Sequence, residues 1–422
     1  MIIEFTIKNF RSIKNEQVVS FFAENKLKHH AGNISHINNI GVLKTCAIYG
    51  SNAAGKTNII LALNALQSLI VDSGSWNDGD NIVCYEPYLL SKTTSNEPIH
   101  FEIEFSVDNI RYIYQVHFSK KEILFEKLDA YYSARVSNLF TRNSSDDWRA
   151  VKFGERYKNG KKQIAFFPNN TYLSKAGNTA DSPKIIRKIY NYFRKNMVTM
   201  FQNTHISIFD WQDNKEISSV MNTFLQKIDL GINKFSMESK EVPSGLKLPS
   251  NIPEDLKKKI LKDLSKEPSF HHETEDGTLI SFPINKESMG TTRLFKMLPF
   301  LIDILKNGSF VFIDEIENSF HPHVAELLIK LFNDPLVNKK DAQLVFTTHD
   351  LALMTSKTMR KDQIYLTKKD LFEGTTIECL DNYDIKDNSP FHKWYDEGRL
   401  GSIPTINYRD ISDSIKKVFQ YA

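Results

Sequence analysis

Cysteine is scarce in this chain, with three residues (Cys46, Cys84, Cys379) among 422. Far apart and odd in number, they exclude a disulfide framework and cysteine-type metal spacing, and they predict a reducing cytoplasm. Glycine (17) and proline (14) are sparse as well, which excludes fibrous and low-complexity chains. No stretch approaches the roughly 18 consecutive apolar residues of a membrane span. The most apolar candidate, Leu294–Leu305, contains Lys296 and Asp303. The first apolar run includes Glu4 and no small-residue cleavage site follows it, so neither a signal peptide nor a membrane partner is expected. Net charge is nearly absent too, at +3 from 54 basic and 51 acidic residues.

What is present looks globular, with 41% hydrophobic and 25% charged residues. The length allows two or three domains of roughly 150 residues, or one domain with a large insertion. The near-zero charge conceals an uneven distribution. Between Arg149 and Lys195 there are 12 Lys/Arg and two acids, a local +10 interleaved with Phe153, Tyr157, Phe166, Phe167, Tyr172, Tyr190, Tyr192 and Phe193. Bases neutralise phosphates and aromatic faces stack on nucleobases, so DNA or RNA is one partner this segment fits. A solvated face over an aromatic core is the other reading.

Residues 2–9 alternate as a half-buried strand, and 100–107, 111–119 and 123–132 read as an antiparallel meander, its first turn at Asp108-Asn109. Thr45–Tyr49 is a short buried strand, and Ile59, Ile60, Leu63, Leu66, Leu69 and Ile70 recur with helical spacing after it. Residues 183–230 and 253–266 are expected to be helical, with loops at Pro243-Ser-Gly and Pro249-Ser-Asn. The last third reverts to α/β: helix 291–306, strand 310–314, helix 324–332 and strand 343–347.

Gly50-Ser51-Asn52-Ala53-Ala54-Gly55-Lys56-Thr57 fits G-x-x-x-x-G-K-[ST] between a predicted strand and the helical pattern that follows Lys56, and these residues with Asn58 are expected to bind the nucleotide. The glycines let backbone N–H groups curl around phosphate oxygens at a helix N-terminus. Lys56 would reach the β- and γ-phosphates, and the Thr57 hydroxyl would ligate Mg²⁺. Phe310-Val-Phe-Ile-Asp314-Glu315 delivers a buried strand to two acids. Asp314 would hold the metal through water and Glu315 would act as general base. A second strand ends in Thr347-Thr348-His349, where the imidazole would meet the transferring oxygens. The cofactors expected are therefore ATP and Mg²⁺. The histidine pairs at 29/30, 271/272 and 321/323 lack ligand spacing, and no metal is expected there.

These strings resemble the ABC-type ATPase superfamily of RecF, Rad50 and SMC proteins, and among them the AAA_15/AAA_21 standalone ATPases of the AbiL/RloA-like abortive-infection group. Further matches are the opening Phe5-x-Ile7-x-Asn9-Phe10-Arg11-Ser12, the string Ser288-Met289-Gly290-Thr291 before a helix, and Trp394-Tyr-x-x-Gly398-Arg-x-Gly401-x-Ile-Pro404. The resemblance covers 1–90 and 270–422 well. It implies a P-loop ATPase domain of α/β class with an antiparallel β meander and a mainly helical insertion. Residues 1–140 and 276–422 would be its halves, and 141–275 a basic, helical insertion. It also implies a homodimer or higher homo-oligomer in which Ser288 and Gly290 cap the γ-phosphate of the opposite protomer. The segment Asn318-Ser-Phe-His321-Pro322 would cross that interface.

The function this implies is a nucleotide-gated ATPase sensing or regulating anti-phage defence. Only 73 residues follow His349, too few for the nuclease domain of RecF-like relatives, so a separate nuclease or toxin is expected as effector. DNA repair or maintenance is an alternative, disfavoured by the absence of heptads. A slowly hydrolysing scaffold that sequesters a toxin is another.

Overall fold

A computed structural model describes residues 1–422 except 145–146, 202–210, 212–213, 229, 241–248, 250–251, 319–320, 387–388, 402–406 and 421–422. The expected loop at Pro243 and parts of the Asn318 and Trp394 strings lie outside the described residues. The architecture is α/β, and the chain divides into two compact units.

The first unit holds residues 2–194 and 347–422. Strand Ile2–Lys8 buries Ile3, Phe5 and Ile7 while Glu4, Thr6 and Lys8 stay half-exposed, the period-two pattern its sequence carries. It joins Gln17–Ser20 and Ile99–Val107, and the antiparallel sheet continues through Ile110–Phe118, Ile123–Tyr131, Val136–Asn143 and the edge strand Lys152–Phe153. Asp108 and Asn109 form the first meander turn, both left-handed with φ of 53° and 59°, as a two-residue type I′ hairpin requires. Thr45–Gly50 is buried along its whole length and runs parallel to Ile364–Lys369, which explains its unbroken apolar character. Helix Lys56–Val71 follows it and buries all six of its spaced aliphatics.

The second unit comprises residues 195–346 with Met1. Met197–Met200, Phe310–Ile313 and residues 343–346 of strand Gln343–Thr347 form a parallel set. Beside it lies a three-stranded antiparallel sheet of Ile232–Ser239, Lys266–Glu273 and Leu279–Pro283. Its core gathers Trp211, Met221, Leu225, Phe235, Phe270 and Leu298 around Phe295. The rings of Phe235 and Phe270 meet Phe295 edge-on at 4.9 and 5.0 Å, the geometry that the aromatic quadrupole favours.

Two details depart from the sequence reading. Residues 183–230 are not one helical stretch. Helix Lys184–Asn196 stops at strand Met197–Met200, and Lys215–Lys227 is a separate helix. Met-Val-Thr-Met offers weak helical preference, and parallel pairing with Phe310–Ile313 overrides it. The three-stranded sheet was not anticipated either, because its strands are rich in Lys, Glu, Ser and His and show little alternation.

Among the described residues, no helix is long and apolar enough to cross a membrane.

Candidate functional site

The phosphate-binding loop owes its shape to close approach at its glycines. A Cβ on Gly50 would lie 2.1 Å from Thr367 Oγ1, and one on Gly55 would lie 2.1 Å from Thr375 Oγ1. Gly55 is also left-handed, with φ of 100°, so no other residue fits there without strain. Ala53 adopts φ of 61° between them. Lys56 is buried, and its Nζ folds back to donate to the carbonyls of Gly50 (2.9 Å) and Ser51 (3.1 Å). Asn52, Ala53 and Thr57 are exposed.

Three side chains brace this loop. Thr375 Oγ1 donates to Ala54 O at 2.9 Å, and Asn58 Nδ2 donates to Ser12 Oγ at 2.6 Å. Ser12 Oγ and Thr375 Oγ1 are themselves 2.7 Å apart. Arg11, left-handed at φ of 50°, pairs with Glu86 and reaches Asn58 Oδ1 at 3.4 Å. The opening Asn9-Phe-Arg-Ser string thus turns beside the loop, along a cavity of about 500 Å³ lined by Arg11, Ser12, Asn58, Tyr85 and Lys369. Thr347 and Thr348 are buried, and Thr348 N donates to Ile48 O at 3.1 Å. That bond places the exposed His349 at the carboxyl end of the P-loop strand's neighbourhood.

Asp314, Glu315, Ser288 and Gly290 belong to the second unit. The buried strand Phe310–Ile313 ends where Asp314 N donates to Met200 O at 2.9 Å. Asp314 is buried, and Glu315 immediately turns left-handed with φ of 50°. A glutamate in that conformation costs roughly 1–3 kcal/mol and persists only where the surroundings impose it. Ile316 anchors the turn by burying completely, and Asn318 N closes it on Glu315 O at 2.9 Å. Arg293, half-buried on helix Met289–Asn307, faces this corner. Burial lowers the pKa of its guanidinium, while the carboxylates of Glu315, Glu317 and Asp314 oppose that shift.

Ser288 caps the same helix, its Oγ accepting from Thr291 N at 3.1 Å. Met289 is 81% exposed, and Gly290 is half-exposed beside it. A cavity of about 630 Å³ opens here, lined by Ser288, Gly290, Leu294, Val324, His321 and Lys227.

Sequence reasoning missed Thr367, Thr375 and Arg293. The first two follow the Gly50–Lys56 string by more than 300 residues, and a lone arginine one turn into a helix carries no local signal. The basic segment is only partly what its composition suggested. Tyr157, Tyr172, Tyr190 and Phe193 are buried, whereas Phe167 is 42% exposed.

Within the first unit the loop suits a nucleotide phosphate, since close packing on Thr367 and Thr375 admits only glycine at positions 50 and 55, and the buried Lys56 ammonium lies against the loop carbonyls. Thr57 there and Asp314 in the second unit are each a hard oxygen donor of the kind that Mg²⁺ takes.

No curated protein matches the chain. Among solved structures it is similar to the SMC head domain from Thermotoga maritima. The TM-score is 0.41 at 12% identity, over 90% of this chain and 98% of that one. The sequence profile of the AAA_21 family, described as "AAA domain, putative AbiEii toxin, Type IV TA system", matches residues 46–355. That span is about three quarters of the chain and holds the P-loop, the Asp314-Glu315 corner and His349 together, and on it the chain belongs to the AAA_21 family of AAA-domain proteins.

Proposed function

We propose that this chain is a Mg²⁺-dependent ATP hydrolase that works as a nucleotide-gated homodimer. Residues 1–140 and 276–422 would be the halves of its ATPase domain, with 141–275 inserted between them. The observation that carries the reading is the corner at Asp314-Glu315, where a buried acid is followed by a glutamate held left-handed.

Lys56 leaves the loop carbonyls for the β- and γ-phosphate oxygens and neutralises charge as it develops there. Glu315 accepts a proton from the water that attacks the γ-phosphorus, and the bond to the bridging oxygen of ADP breaks. His349 hydrogen-bonds the transferring oxygens from the P-loop side. Thr57 and Asp314 would hold magnesium, which when bound would supply charge neutralisation. Ser288 and Gly290 of a second copy cap the γ-phosphate, so that dimerisation reports the nucleotide.

The family description names a toxin of a type IV TA system. That description supports a setting in anti-phage defence, and we propose a cytoplasmic sensor or regulator there, with a separate nuclease or toxin as effector. The basic segment 149–195 is proposed to contact nucleic acid. Glu315→Gln is expected to cut steady-state ATP turnover by about a hundredfold or more while nucleotide binding persists, and with ATP it should sediment as a larger species than the apo protein. Unchanged turnover removes Glu315 as the base. No change in sedimentation removes the trans cap.

A further inference from the structure

The basic segment separates into two surfaces of different chemistry. Helix Lys184–Asn196 exposes Lys184, Lys188 and Arg194 above a buried stripe of Ile186, Ile189, Tyr190 and Phe193. Lys188 is paired with Asp108. That is a solvated helix face with nothing apolar left to offer.

Residues 147–165 are built differently. They carry six bases against two acids, Asp147 and Glu155. Lys152, Arg156, Lys158, Lys161 and Lys162 are all exposed. Beside them lies a cavity of about 620 Å³ lined by Trp148, Val151, Phe153, Lys161, Lys162 and Gln163. It sits at the edge strand Lys152–Phe153 of the seven-stranded sheet. Phe153 packs against the ring of Tyr157, centroids 4.8 Å apart, and that of Tyr172 at 5.5 Å. Cations already rest on these rings. The Arg149 guanidinium lies 4.3 Å from the Trp148 centroid, and Lys162 Nζ lies 6.0 Å from that of Phe153.

We propose that this groove binds an unpaired nucleic-acid strand, a base seated against Trp148 and Phe153 with its phosphates on Lys161 and Lys162. A fixed aromatic floor is matched by a π-face, and the flanking ammonium groups by a polyanion. An unpaired strand offers both at nucleotide spacing, whereas a duplex keeps its base faces stacked inside and offers only phosphates, sugars and base edges. The volume falls within the roughly 300–1,000 Å³ of pockets that hold nucleotide-sized groups. DNA and RNA strands share this chemistry. The proposal rests on the nucleic-acid contact suggested above and narrows it to one groove.

The test is fluorescence anisotropy of the full chain with labelled oligo-dT, the matching oligo-U and a duplex, each about a dozen units long. Binding of one or both single strands is expected to exceed duplex binding. It should weaken by on the order of tenfold or more between about 50 and about 200 mM salt. Trp148→Ala should cost about fivefold or more in affinity. Lys161→Glu with Lys162→Glu should cost on the order of tenfold or more, while Lys184→Glu with Lys188→Glu stays within about twofold. Lys161→Gln with Lys162→Gln serves if the charge reversal fails to fold, and unchanged ATP turnover certifies each variant. The groove is overturned if neither strand binds at low salt, or if the duplex binds as tightly. It is also overturned if Trp148→Ala is silent, if the helix variant loses as much, or if polyglutamate displaces the strand as well as a competing strand does. Turnover lost in the unsubstituted protein would instead strike the ATPase reading.

Discussion

Thr375 Oγ1 donates to Ala54 O at 2.9 Å, tying the P-loop backbone to a strand 321 positions later in the chain. The same hydroxyl stands 2.7 Å from Ser12 Oγ, and Ser12 O accepts from Thr375 N at 2.7 Å. One buried threonine therefore holds two segments against the phosphate loop. Thr375→Val keeps the shape and removes both side-chain bonds. At about 1 kcal/mol each, with Ala54 O and Ser12 left to find other partners, ATP affinity should fall by about fivefold to tenfold. Titration calorimetry reads this directly, and unchanged affinity would show that the loop holds itself.

A second prediction concerns the buried acid behind the meander. Glu126 is fully buried and accepts from Tyr172 N (2.6 Å), Leu173 N (2.9 Å) and Tyr114 OH (3.0 Å), with Arg142 Nη1 at 3.6 Å. Burial raises its pKa, and Arg142 and these donors work against that shift. Glu126→Gln replaces one acceptor oxygen with a donor that faces donors. Leaving them unsatisfied should cost about 1–3 kcal/mol, visible as a lower urea midpoint with an unchanged slope. Removing the partner by Arg142→Met should cost more, about 3–5 kcal/mol, because a buried carboxylate then stands unpaired.

The imidazoles of His100 and His117 stack across neighbouring strands, centroids 3.9 Å apart and planes at 13°. Burial brings His117 down from 6.5 to about 4, helped by His100 and Lys8, and also lowers His100. Folding therefore keeps this pair neutral where the unfolded chain would protonate it. The associated stability is intact above about pH 6.5 and drains away as pH falls toward about 4. Urea midpoints measured across that window should decline, and His117→Phe should flatten the decline. A variant curve parallel to the parent would refute the assignment.

The legible parts of the site are those written in consecutive residues. Gly50–Thr57 must curl between a buried strand and a helix, Phe310–Ile313 must end in its acids, and Ser288 caps its own helix through Thr291. Such local geometry needs no knowledge of the rest of the chain. Thr375 reaches the P-loop from more than 300 positions away, Arg293 faces its acids from the helix just before their strand, and nothing in the neighbours of either announces it. The fold divides the same way. Strand Ile2–Lys8 and the Asp108-Asn109 turn carry their own periodicity and backbone preference. Met197–Met200 is a strand only because Phe310–Ile313 lies beside it. Composition leaves open which aromatics of the basic segment lie inside, and the structure answers it for Tyr157 and Tyr172, whose hydroxyls bond each other at 2.6 Å in the core.

Arg293 supplies the last prediction. Its guanidinium faces Asp314, Glu315 and Glu317 from a half-buried position. Three acids at one corner repel one another, and the guanidinium offsets that repulsion. Arg293→Ala removes the cation without touching the acids, so the corner that holds Glu315 loses its counter-charge. Steady-state ATP turnover should then fall by about tenfold, equivalent to about 1.4 kcal/mol, and Arg293→Lys should restore most of it. A drop unrelieved by lysine would make Arg293 a packing residue. Unchanged turnover would mean that the corner does not depend on its charge.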